Sequence, residues 1–173
     1  MTTTQAPRPA LPAPHPEAHV YHFSLHDGHV LALFTGSRAD QTVAHHAADL
    51  ATRTGHHITA AAVVRSTGFS INALLHHARS RRIQAETDAI LAPVMPLLAR
   101  AGPVQATTLV VPARTNPYRD LPADRVQHLA EHTGTETAVS PVPLTGYTAP
   151  LARHLQRIDR GRLSGPAPHR RPS

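Results

Sequence analysis

From His29 onward the chain alternates short apolar runs with stretches of helical spacing. His29-Val30-Leu31-Ala32-Leu33-Phe34 is a nearly unbroken apolar run that stops at Thr35-Gly36-Ser37. A run of that length between punctuating residues reads as a buried strand. Beyond it, Val43, Ala44, Ala47, Leu50 and Ala51 fall on one helical face. Ser37 is placed to cap the amide of Asp40, and an acid three residues after a capping serine is close to a capping box. Gly55 supplies the C-terminal stop. Ile58 to Val64 is a second apolar run, partly β-branched, and predicts the next strand.

The segment from Ser70 to Ala101 has helical composition, with Pro93 and Pro96 placed to kink it or to start a separate short helix. Thr107 to Val111 predicts a third strand. Asp120 is the expected cap of a helix over Leu121 to Thr133, stopped by Gly134. Thr137 to Val142 predicts a fourth strand, with a ladder limited by Pro141 and Pro143. Thr148 is the expected cap of a last helix with Leu151, Leu155 and Ile158 as its apolar stripe. Strands that alternate with helices predict an α/β fold, an open, mostly parallel sheet of four or five strands flanked by helices, Rossmann-like in plan. One segment breaks the alternation. Val20 to Leu25 has the two-residue period of a strand, and Asp27-Gly28 is a tight-turn signal before the first core strand. An extra antiparallel strand beside that first strand is expected.

A length of 173 residues suits one domain with a sizeable core. Five prolines between Pro7 and Pro16 make residues 1–18 an expected disordered arm, and residues 161–173 an expected basic, proline-rich tail. The folded domain is then 19–160. The absence of cysteine excludes disulfides, thiolate metal ligands and a cysteine nucleophile. No apolar stretch approaches the length of a membrane span, and the first residues lack an apolar run after a basic head. The expectation is a cytoplasmic protein without membrane contact. The formal charge is +6, and every basic residue is arginine. That balance permits polyanion binding. Arg153, Arg157 and Arg160 share one face of the expected last helix, and Arg162, Arg170 and Arg171 follow it. An accessory protein that binds nucleic acid through this helix and tail is therefore the alternative reading.

The order of elements resembles the universal stress protein family. The resemblance rests on Val30-Leu31-Ala32-Leu33-Phe34-Thr35-Gly36-Ser37, the alanine-rich helix with Ala44, Ala47 and Leu50-Ala51, Gly55, and the run from Ile58 to Val64. Ile71 to Ala101 resembles the family's long second helix, Val104 to Pro112 its third strand, and Ala123 to Gly134 its third helix. The resemblance covers residues 29–144. It implies an open α/β fold and a non-enzymatic stress-response or regulatory role. In members that bind ATP, an Asp ends the first strand and a glycine-rich loop after the fourth strand cradles the phosphates. Here Thr35 stands at the Asp position. The loop reads Pro141-Val142-Pro143-Leu144-Thr145-Gly146-Tyr147, with no second glycine nearby. Close backbone approach to phosphate needs residues without Cβ. The resemblance thus points to ATP or another adenine nucleotide as a weakly retained ligand. It also implies a homodimer built by a fifth strand, where Leu151 to Ile158 reads instead as helix, and an unidentified protein partner.

The candidate anion or nucleotide site is Thr35, Gly36, Ser37 and Arg38, joined by Arg65 at the end of the second strand. Open α/β sheets bind ligands at the carboxyl ends of their strands, and helix amides attract anions. Fifteen histidines raise the question of metal. His128 and His132 are four apart on a helix, and His22 and His26 share a strand face, but no His-Glu-x-x-His pattern occurs, and no metal site is expected. Ser37 lacks a Gly-x-Ser-x-Gly setting, and neither a P-loop nor Gly-x-Gly-x-x-Gly is present, so catalysis is not expected.

Overall fold

The apolar run Val30–Phe34 lies at the middle of a five-stranded sheet. The computed structural model describes residues 17–23, 28–66 and 73–149. In chain order the elements are β1 (His19–His22), β2 (His29–Phe34), α1 (Asp40–Thr54), β3 (Ile58–Arg65), α2 (Ala73–Leu91), α3 (Met95–Ala101), β4 (Val104–Val111), β5 (Leu121–Pro122), α4 (Ala123–Thr133), β6 (Thr135–Ser140) and β7 (Leu144–Thr145). The large sheet runs β1-β6-β2-β3-β4, with β5 and β7 forming a small parallel pair beside it. Strands β6, β2, β3 and β4 are parallel, and β1 is antiparallel to β6.

Strand periodicity divides the core into two layers. Val30, Ala32 and Phe34 face one side with Ile58, Ala60, Ala62 and Val64, under α1 and α3. Leu31 and Leu33 face the other side with Ala61, Val63, Leu109 and Val111, under α4. Burial on both faces explains why β2 and β3 read as continuous apolar runs rather than alternating ones. Helix α1 ends at Gly55 in the left-handed region (φ 71°), whose amide closes on the Ala51 carbonyl. Pro93 and Pro96 divide the second helical stretch, and Pro96 sits in the first turn of α3, where its missing N–H costs nothing.

Several expectations are corrected. The extra strand does not pair with the first core strand. Strand β2 already has parallel neighbours on both sides, so β1 crosses to the edge beyond β6, with Tyr21 opposite Ala138 and His22 opposite Thr137. It takes the fifth position in the sheet. Strand β6 spans Thr135–Ser140 rather than 137–142, so Pro141 and Pro143 lie beyond its last residue and do not limit its ladder, and it sits inside the sheet between β1 and β2. Asp120 does not cap the third long helix. Leu121–Pro122 form β5 first, and α4 starts at Ala123 without a side-chain cap. Ser37 does not cap α1 with its hydroxyl, and the helix starts at Asp40.

The N-terminal arm up to residue 16 and the basic tail over 161–173 lie outside the described residues. So does the expected last helix with Arg153, Arg157 and Arg160. Among the described residues no helix is long and apolar enough to cross a membrane.

Candidate functional site

The turn between β2 and α1 is built around Asp40. Its carboxylate is 5% exposed and reaches back across the turn. The Thr35 amide donates to both carboxylate oxygens, at 3.2 and 3.1 Å, and the Gly36 amide donates to Oδ2 at 2.8 Å. The Ser37 hydroxyl donates to Oδ1 at 3.0 Å, and the Thr35 hydroxyl adds a longer contact at 3.4 Å. Successive amides that converge on one point form an anion-binding nest. Gly36 makes the convergence possible, since it sits at φ 78°, where a side chain is strained. The nest at the end of the first core strand therefore holds an anion supplied by the chain itself.

An open cleft of about 480 Å³ lies against this turn. Thr35, Gly36, Ser37, Asp40 and Gln41 form one wall. Glu86 and Ile90 from α2, Pro93 and Tyr118 form the other. The structure brings Thr35, Gly36 and Ser37 together in the cleft but leaves Arg38 and Arg65 out of its walls. Arg38 is exposed on the turn. Arg65 is exposed at the end of β3, opposite Val111. Because Phe34 pairs with Ala62, Arg65 stands two residues beyond the level of Thr35, about 6–7 Å further along the sheet. Among the described residues the charged side chains of the cleft are thus two carboxylates, Asp40 and Glu86. Sequence reasoning placed Asp40 in the cap but missed it as the occupant of the nest. Glu86 and Tyr118 carried no signal, because only the packing of α2 and the 112–120 loop brings them to the strand ends.

A second cleft, of about 360 Å³, opens at the amino ends of the strands. The register sets His29 beside His57, and Leu31 beside Thr59 and Gln105, on the face of the sheet that α4 covers. The His29 and His57 rings lie 5.5 Å apart. Thr59 is 1% exposed, and its hydroxyl has no hydrogen-bond partner. No group of three histidine, aspartate or glutamate residues suited to a metal ion occurs among the described residues. His128 and His132 are both exposed on α4, His22 bonds Thr137 through Nδ1 (3.2 Å), and His26 lies outside the described residues. Arg79 does not face solvent freely, since it donates to the Ser66 hydroxyl at 2.8 Å.

No family model matches the chain, and no curated protein sequence does. Similar solved structures include a protein of the universal stress protein family from Burkholderia pseudomallei, at 18% identity and a TM-score of 0.41, over 78% of this chain and 91% of that one. Universal stress protein UspA from Lactobacillus plantarum is similar at 18% identity and a TM-score of 0.46, over 72% of this chain and 81% of that one. A universal stress protein solved in complex with cAMP is similar at 16% identity and a TM-score of 0.45, over 65% of this chain and 75% of that one. The likeness is one of fold. The chain itself has an open α/β architecture whose edge strand beside β6 comes from the N-terminal side of the chain.

Proposed function

We propose that this chain is a non-enzymatic, stress-response type regulatory protein. In this reading it acts by binding a small uncharged ligand, of the size of a nucleoside, in the cleft at the carboxyl end of β2. One observation carries the reading: the Asp40 carboxylate occupies the Thr35 and Gly36 amides. A phosphate at that turn would have to displace a buried carboxylate and then lie beside Glu86 in the same cleft. Like charges that line one cleft repel, and no arginine among the described residues of its wall offsets them. The hydroxyls of Thr35, Ser37 and Tyr118 and the amide of Gln41 suit a ligand rich in hydroxyl and ring-nitrogen groups. The volume of about 480 Å³ falls within the range of small-ligand sites. The cAMP complex of a fold neighbour suggests adenosine and its phosphates as probes.

Calorimetry on the full chain tests this with adenosine, cAMP and ATP, repeated on Asp40→Asn. Adenosine is expected to bind at least as tightly as either phosphate. Removing the charge at Asp40 is expected to shift preference towards ATP by about tenfold. Wild-type protein that binds ATP or cAMP tenfold more tightly than adenosine overturns the reading, and so does a failure of all three to bind.

A further inference from the structure

Helices α1, α3 and α4 end at Thr54, Ala101 and Thr133, each just before the strand that follows it. Their C-terminal ends therefore gather at the amino ends of β3, β4 and β6. A helix C-terminus carries partial negative charge on its unpaired carbonyls and favours a cation. The cleft of about 360 Å³ opens at this end of the sheet, and no arginine lines it among the described residues.

Two histidines stand side by side in that cleft. His29 opens β2, and His57 immediately precedes β3. The Val30 amide donates to the His57 carbonyl at 2.9 Å, which fixes the two positions at one level of the sheet. Neighbours at one level project to the same face, and the two ring centroids lie 5.5 Å apart. Among the described residues no hydrogen bond occupies the ring nitrogens of either histidine. The ring of His56 is taken up elsewhere, against Gly28, where a Cβ would come within 2.7 Å of its Nε2. Thr59 lines the same cleft, and its buried hydroxyl lacks a partner that a group brought into the cleft would supply.

We propose that His29 and His57 together hold a divalent transition-metal ion in this cleft. Metal–nitrogen bonds of about 2.0–2.1 Å put an imidazole centroid about 3.2 Å from its ion. Two such rings at a tetrahedral angle stand about 5.2 Å apart, close to the 5.5 Å found here. The site has two protein ligands, so no group of three marks it. The remaining positions on the ion go to water or to a small ligand that enters the cleft. Gln105 and Thr59 are the polar side chains of the wall that can hydrogen-bond to such a group. Imidazole suits Zn²⁺, Ni²⁺ and Cu²⁺, and Cu²⁺ is expected to bind most tightly. This inference is independent of what the cleft at the carboxyl ends binds.

The test titrates the full 173-residue chain with Zn²⁺, Ni²⁺ and Cu²⁺ by calorimetry in a non-chelating buffer. The tightest Cu²⁺ site is expected to weaken by at least about tenfold in His29→Ala and in His57→Ala. The double variant His128→Ala/His132→Ala removes an exposed helical pair and is expected to leave that site unchanged. Nuclear magnetic resonance locates the ion without any substitution. Paramagnetic Cu²⁺ at a small fraction of an equivalent should broaden the amides of Val30, Ile58 and Thr59 first. Phe34 and Val64, at the far ends of the same strands, should keep their signals. Broadening that begins at other histidines overturns the proposal. So does a tightest site indifferent to both single substitutions, or a failure of all three ions to bind.

Discussion

The Tyr147 hydroxyl meets the main chain of His22 twice, accepting from its amide at 3.1 Å and donating to its carbonyl at 2.7 Å. Tyr21 answers from the other side, where its hydroxyl accepts from the Leu144 amide at 2.9 Å. The two rings meet edge to face, with centroids 4.7 Å apart. One side chain thus does for the edge of β1 what another strand would do, and it ties the segment after β6 to the N-terminal strand. Phe23 packs on the same ring, at 5.9 Å.

Tyr147→Phe keeps the ring and removes both hydrogen bonds. The expected loss is about 1 kcal/mol, or a melting temperature lower by about 2–4 °C for a domain of this size. Hydrogen exchange should locate it, with the His22 amide exchanging faster while amides of β3 are unaffected. Unchanged exchange at His22 would show that the hydroxyl does not close the edge.

At the turn before α1 the order of costs is the informative quantity. Asp40→Ala strands the Thr35 and Gly36 amides inside the turn and leaves Ser37 without its acceptor. Unpaired buried donors and the loss of charge-assisted bonds should cost about 2–3 kcal/mol. Asp40→Asn keeps one acceptor oxygen and should cost less than half as much. Chemical denaturation of the three proteins decides it. Equal losses would mean that the charge, rather than the acceptor geometry, stabilises the turn.

Thr59 gives a prediction of opposite sign. Its hydroxyl is buried on a central strand without a partner. Thr59→Val has nearly the same shape and removes that desolvated group, so it should raise stability by about 1 kcal/mol. A lower midpoint in denaturant would show that the hydroxyl is bonded in solution, most simply to water in the adjoining cleft.

Much of the fold was legible because burial imposes a pattern. Strand β2 could be read from Val30 to Phe34 because it is covered on both faces, and α1 from Val43, Ala47 and Ala51 because one face alone is covered. The divided helix after residue 70 was legible because proline cannot continue a ladder. The place of β1 was not. The turn signal at Asp27-Gly28 is local, whereas the choice of neighbour depends on which side of β2 is free, and β6 arrives there from more than a hundred residues later. The start of α4 was misread for a similar reason. Leu121 and Pro122 are drawn into β5 by Leu144 and Thr145, which no local pattern records.

The candidate site divides in the same way. Thr35, Gly36 and Ser37 were recognisable because a strand that ends in small polar residues before a helix is a local feature. The sequence by itself also determined that Asp40 lies within reach of those residues, since four or five positions across a tight turn leave little choice. Only the tertiary structure decided that the carboxylate would be buried on the amides, that Glu86 and Tyr118 would face it, and that Arg38 and Arg65 would stand outside. Local residues set which groups are present, but the packing of α2 against the sheet sets which of them share a cleft, and hence the sign of its charge.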